Sequence, residues 1–132
     1  MVGAAVVAAA AAQGAPRSVW DGVYTTEQMQ RGDKLAAEHC VACHGDRLIG
    51  GESAPPLAGD VFNANWDGVM LIDLFDRVRM TMPLDKPGSL SRQQTTDLLA
   101  YMLSLGTFPN GRVALDAGLV GQIKFESFRP ER

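Results

Sequence analysis

Apolar positions recur at spacings of three and four in three separate stretches of this chain, and each stretch is preceded by a polar residue suited to capping a helix. The first opens at Thr25-Thr26-Glu27-Gln28, a capping box with Thr25 as N-cap, and its pattern runs through Leu35 and Ala36 to the region of Cys40. In the second, Asp67 is the expected cap; Met70, Leu71, Leu74, Phe75 and Val78 line one face, Asp73, Asp76 and Arg77 fall on the other, and Pro83 ends the run. Ser91-Arg92-Gln93-Gln94 is a further capping box, opening a helix with Leu98, Leu99, Met102 and Leu103 inward and Gly106 as its stop. Residues 45–64 are rich in Gly, carry Pro55 and Pro56 and show little periodicity, which predicts a loop ordered by packing around something. No stretch alternates as a strand does and no internal repeat appears. The expected fold class is all-α.

The beginning of the chain has a different character. Val2 to Ala12 is an uninterrupted run of small apolar residues followed by Gln13, Gly14, Ala15 and Pro16. This resembles the apolar region and Ala-x-Ala end of a secretory signal, although no Lys or Arg precedes it. Residues 1–15 are therefore expected to be a signal peptide, cleaved after Ala12 or Ala15. The run is shorter than the roughly 20 apolar residues that span a bilayer, so no stable membrane anchor is expected. At 132 residues one small domain is expected, and 12 Lys+Arg against 15 Asp+Glu give a formal net charge of -3. That balance offers no electrostatic footprint for nucleic acid.

The chemistry is concentrated in Cys40-Val41-Ala42-Cys43-His44, which uses both cysteines of the chain. Two thiols and an imidazole at this spacing are the arrangement of covalent c-type haem attachment: each thiol forms a thioether with a haem vinyl group, and the histidine becomes the proximal iron ligand. A redox dithiol would want a βαβ context, which the pattern lacks. A structural zinc site wants four ligands, and His39, directly before Cys40, is badly placed to complete one. For the sixth iron position, Met29, Met70 and Met102 lie within helical patterns and read as core. Met82 precedes Pro83, whose ring pushes it out of the α region so that its thioether can leave the helix. Leu84 to Gly88 would then hold that sulfur in a stiffened loop, with Met80 on the last helical turn as the rival ligand.

With these residues in place, the chain resembles the small monohaem class I-type cytochromes c from about Val23 to Gly111. Gly32 and Leu35 stand where the first helix of that family crosses the last, and Tyr101 where the last helix presents an aromatic. Ala36 occupies a position often aromatic in the family, which predicts a looser or shifted crossing. Pro55-Pro56-Leu57-Ala58-Gly59 is similar to the family's Pro-x-Leu-x-Gly segment, and the resemblance implies that the Pro55 carbonyl accepts a hydrogen bond from the proximal imidazole. It also implies that the Trp66 indole meets a haem propionate. Met82 to Ser91, together with Trp20 to Tyr24, is similar to cytochromes that accompany quinoprotein dehydrogenases. The implied fold is three to four helices around one covalent haem c, with an arm at 16–23, the cytochrome domain at 24–111 and a strap or tail at 112–132. The implied function is that of a periplasmic single-electron carrier rather than an enzyme, taking electrons from a dehydrogenase toward an oxidase or another cytochrome. Two alternatives stand beside it: a tightly bound subunit of a quinoprotein dehydrogenase, and a five-coordinate haem enzyme or gas sensor.

Overall fold

The computed structural model describes residues 17–131; the expected signal peptide lies outside the described residues. Five helices carry the fold: α1 (Thr26–His39), α2 (Val41–His44), α3 (Asp60–Trp66), α4 (Leu71–Thr81) and α5 (Arg92–Leu105). Two short strands, β1 (Arg17–Ser18) and β2 (Ile123–Lys124), pair in parallel, Arg17 with Ile123 and Ser18 with Lys124. The helix-dominated architecture agrees with the all-α expectation. The strands went unforeseen because a two-residue ladder is too short to show a period.

Helices α1 and α5 cross at Gly32. A Cβ there would overlap the Asp97 carbonyl and come within 2.9 Å of Tyr101 Cβ, so only hydrogen lets the two backbones meet. Ala36, one turn on, is completely buried. The crossing is thus close rather than loose at Gly32. Beside it the Asp97 carboxylate accepts two bonds from Arg31, at 3.1 and 3.2 Å, and one from Gln93 Nε2 at 2.8 Å. Every residue of α5 from Thr95 to Leu103 is buried. Its two threonine hydroxyls are satisfied locally, by the carbonyls of Ser91 and Gln93. The Ser91 capping box is complete, with both reciprocal bonds formed at 2.9 and 3.0 Å.

The Thr25 box is only half formed. Thr25 Oγ1 accepts the Gln28 N–H at 3.2 Å, but the Gln28 side chain turns inward. There its Nε2 donates to the Leu115 carbonyl at 2.9 Å and its Oε1 accepts the Leu115 N–H at 2.7 Å. The segment after Gly111 thereby joins the core: Leu115, Val120, Ile123 and Phe125 are all buried. Phe125 meets Phe62 at 5.8 Å and Phe108 at 5.2 Å, both edge to face, and Phe108 meets Trp20 at 4.7 Å.

This packing explains two further departures from expectation. The loop expected over residues 45–64 ends early, because Asp60–Trp66 winds into α3 with Phe62 and Trp66 one turn apart on the same face. Asp67 does not cap α4. It lies extended after α3, and its Oδ1 accepts the Ser127 N–H at 2.8 Å. Gly68 N–H donates to the Phe125 carbonyl and Phe125 N–H to the Val69 carbonyl, both at 2.8 Å. The chain from 67 to 70 finds its backbone partners in the C-terminal segment, so α4 starts only at Leu71, with Met70 extended as its N-cap.

Candidate functional site

The chain turns sharply at Cys40, which ends α1 and starts α2 with φ −124° and ψ −40°. One helical turn then brings Cys40, Cys43 and His44 together, since residues three and four apart share a face, and both Cys43 and His44 donate their N–H to the Cys40 carbonyl. Gly45 reverses the chain at φ 84°, and a Cβ there would stand 2.6 Å from the Gly50 carbonyl. That close return lets Gly50 N–H reach the His44 carbonyl at 2.7 Å. Leu57 N–H then donates to the Leu48 carbonyl at 2.8 Å, which ties the Pro55-Pro56-Leu57 stretch beneath the imidazole.

His44 is 6% exposed, and its Nδ1 lies 2.7 Å from the Pro55 carbonyl oxygen. A carbonyl can only accept, so Nδ1 carries the proton, and in the neutral ring Nε2 holds a free lone pair on the far side. The two cysteines are free thiols, Cys40 half-buried and Cys43 exposed. Burial pushes the Cys40 thiol up to about 11. A redox dithiol needs the opposite, a lowered pKa that supplies thiolate, so the environment of Cys40 disfavours that chemistry. Among the described residues, no three His, Cys, Asp or Glu side chains gather to hold a metal ion by themselves.

Elsewhere in the fold, α4 ends where Met82 N–H makes a last helical bond to the Val78 carbonyl at 3.0 Å. Met82 itself is extended, with φ −113° and ψ 155°, in the region the following proline favours. It is half-buried, whereas Met80 is 64% exposed. Pro83 is buried, and the loop beyond it is braced by Lys86 N–H to the Pro83 carbonyl at 2.9 Å and Ser89 N–H to the Lys86 carbonyl at 3.2 Å. Trp66 closes α3, half-buried, with its ring 6.1 Å from that of Phe62.

Two buried polar atoms in this region were not singled out by sequence: Arg79 Nε and Asn63 Oδ1 find no hydrogen-bond partner among the described residues. Their signal was faint, since one charged or amide residue within a helical pattern ordinarily reads as solvated. The imidazole with a free Nε2 and the two unpaired thiols share one turn, while the thioether of Met82 and the buried Nε–H of Arg79 belong to the end of α4; these donor types suit an iron macrocycle carrying carboxylates.

The family model described as cytochrome C oxidase, cbb3-type, subunit III matches residues 27–102, a stretch that takes in every residue just described. No curated protein sequence matches this chain. Among solved structures, the chain is similar to one in the crystal structure of the sulfane dehydrogenase SoxCD from Paracoccus pantotrophus, with 24% sequence identity and a TM-score of 0.59. The likeness covers 85% of this chain and 66% of that one, just under two thirds of its length. At such identity it speaks for the fold alone, which is that of a small class I-type cytochrome c.

Proposed function

Because the chain belongs to the family described as cytochrome C oxidase, cbb3-type, subunit III, we propose that it is a periplasmic one-electron carrier in which His44 and Met82 are the axial ligands of its covalently bound haem c. Cys40 and Cys43 provide the two thioethers. When bound, the haem supplies a ferric/ferrous couple, and the protein tunes it.

The observation that carries this reading is the 2.7 Å contact between His44 Nδ1 and the Pro55 carbonyl. Such a bond fixes the tautomer, aims Nε2 away from the loop and makes the ring a more basic ligand. Burial of His44 keeps competing water from it. Met82 is supported as the opposite ligand by its extended backbone and partial burial, against the exposed side chain of Met80. A thioether is a soft donor that favours the reduced iron, so Met82 raises the potential. With both positions filled by protein, no site is left for oxygen, peroxide or substrate, and the fitting role is electron transfer.

The partners are other redox proteins, a dehydrogenase donor and an oxidase or cytochrome acceptor. Met80 and Leu84, 64% and 72% exposed on either side of Met82, offer an apolar surface for them. No helix of the described residues is long and apolar enough to cross a membrane. Export by residues 1–15 would deliver the chain to the periplasm.

Replacing either methionine tests the ligand set. Met82→Ala opens the iron to azide and carbon monoxide and lowers the midpoint potential by a sizeable part of the roughly 0.8 V range over which axial ligands set haem potentials. Met80→Ala does neither. The reverse result would assign the sixth position to Met80, and no effect from either substitution would remove the basis for a methionine ligand.

A further inference from the structure

We propose that Met80 is a reversible oxidation site, converted by peroxide to its sulfoxide ahead of every other methionine of the described residues, and that the added oxygen weakens docking at the surface beside Met82. The oxidation stands on exposure alone, whereas its consequence rests on the electron-carrier reading above.

Among the described residues, Met80 alone of the methionines is exposed, at 64%. Met102 is buried, and Met29, Met70 and Met82 are half-buried. A thioether in water meets a dissolved oxidant freely, whereas one packed against a core reacts only as the structure opens. The exposure of Met80 is a property of the fold. Helix α4 runs to Thr81, whose Oγ1 donates to the Arg77 carbonyl, and Met82 N–H closes the last turn onto the Val78 carbonyl. Val78 is buried with Leu71, Leu74 and Phe75, and Met80, two positions further on, falls on the opposite face of the helix. A single apolar side chain on a surface is ordinary. What distinguishes Met80 is Leu84, 72% exposed at the same separation on the other side of Met82.

The step balances with a peroxide as oxidant. A sulfur lone pair attacks one peroxide oxygen, the S–O bond forms as the O–O bond breaks, and the thioether is oxidised by two electrons. The second oxygen of hydrogen peroxide leaves with both protons as water. In the return step a dithiol gives up two electrons and two protons, becomes a disulfide, and the sulfoxide oxygen departs as water. A flexible apolar side chain has meanwhile become a polar one. At a docking surface the new acceptor loses its water without gaining a partner, which costs binding. Oxidised Met80 therefore slows electron transfer while His44, Pro55 and Met82 stay as they were, and it consumes oxidant before Met82 does.

The test uses the intact ferric holoprotein, with hydrogen peroxide as the probe. Samples taken during the reaction are digested, and fragmentation of the peptide that holds Met80 and Met82 tells the two apart. One oxygen should be fully taken up at Met80 before Met29, Met70, Met82 or Met102 gains any. The second readout is electron self-exchange between ferric and ferrous copies of this chain, followed by nuclear magnetic resonance line broadening, which needs no other protein. Oxidation slows it several-fold in the wild type with visible spectrum and midpoint potential unchanged, and methionine sulfoxide reductase with dithiothreitol restores it. Met80→Gln, a lasting polar substitute, is slower than Met80→Leu, and Met80→Leu gives the same rate before and after peroxide. Oxygen at Met82 or another methionine as early as at Met80 would overturn the site. A wild-type rate indifferent to the sulfoxide, or an equal fall in Met80→Leu, would overturn its effect on docking. So would a shifted spectrum or potential, since the slower rate would then come from the iron. Binding of carbon monoxide by the untreated wild-type iron would count against the Met82 ligand reading and leave the order of methionine oxidation as a separate result.

Discussion

His44 and Pro55 are eleven residues apart, and the contact between them is made by the tight return of the chain at Gly45 and Gly50. The grouping of Cys40, Cys43 and His44 was legible in sequence because one helical turn preserves their spacing. Arg79 and Gln28 were not. A charged or amide residue in an amphipathic pattern is solvated in most proteins, and only the packed structure tells that these two are drawn inward. Tyr24 is a similar case. Its hydroxyl donates to the Phe108 carbonyl at 2.6 Å, and burial raises its pKa above the ordinary 10.0. A folded-state pKa raised above the unfolded value means that the folded protein holds its proton more tightly. The associated stability is complete below pH 10.0 and is lost as pH rises from there through the raised value. Tyr24→Phe leaves the Phe108 carbonyl without its donor and should cost about 1–3 kcal/mol at neutral pH, measured by denaturant unfolding. Its stability should also decline less steeply than the wild type's at alkaline pH. Part of the decline remains, because burial raises the pKa of Tyr101 as well.

At the scale of the elements, the three long helices could be read from their apolar periods, and α1 and α5 also from the caps Thr25 and Ser91, since all three pack on the same core. Where the reading slipped, the cause was a partner distant in sequence. The stretch after α3 stays extended because Phe125, far along the chain, supplies its backbone hydrogen bonds. The Thr25 box stays half formed because Gln28 has a better use, pairing with both polar groups of Leu115 across 87 residues. Local rules cannot foresee such bonds, which exist only once the chain has closed on itself. Gln28→Ala therefore leaves a buried N–H and a buried carbonyl unpartnered and should destabilise the holoprotein by roughly 2–6 kcal/mol, at about 1–3 kcal/mol for each group. The midpoint of thermal unfolding should fall while the visible haem spectrum stays unchanged, because Gln28 lies outside the residues proposed to hold the haem, Cys40, Cys43, His44 and Met82. A spectral change at room temperature would mean that the C-terminal segment also shapes the haem site.

For the molecule as a whole, the crossing of α1 and α5 at Gly32 sets the frame, α2 and its loop hold the imidazole, and α4 with the Met82-Pro83 turn offers the thioether. The all-α class and the haem were legible in sequence, the second far more strongly than the first, because five residues carry one chemistry whereas helix boundaries depend on packing. The integration of the C-terminal segment into the core was only hinted at by its scattered apolar residues. The central claim is that protein ligands fill both axial positions, so that the molecule passes electrons and does not bind small molecules. Adding carbon monoxide to the dithionite-reduced wild-type holoprotein tests this most directly. The visible spectrum should be the same before and after the gas is admitted, and reoxidation should return the ferric spectrum in a single one-electron step. A prompt carbon monoxide complex in the wild type would show an open sixth position and contradict the account.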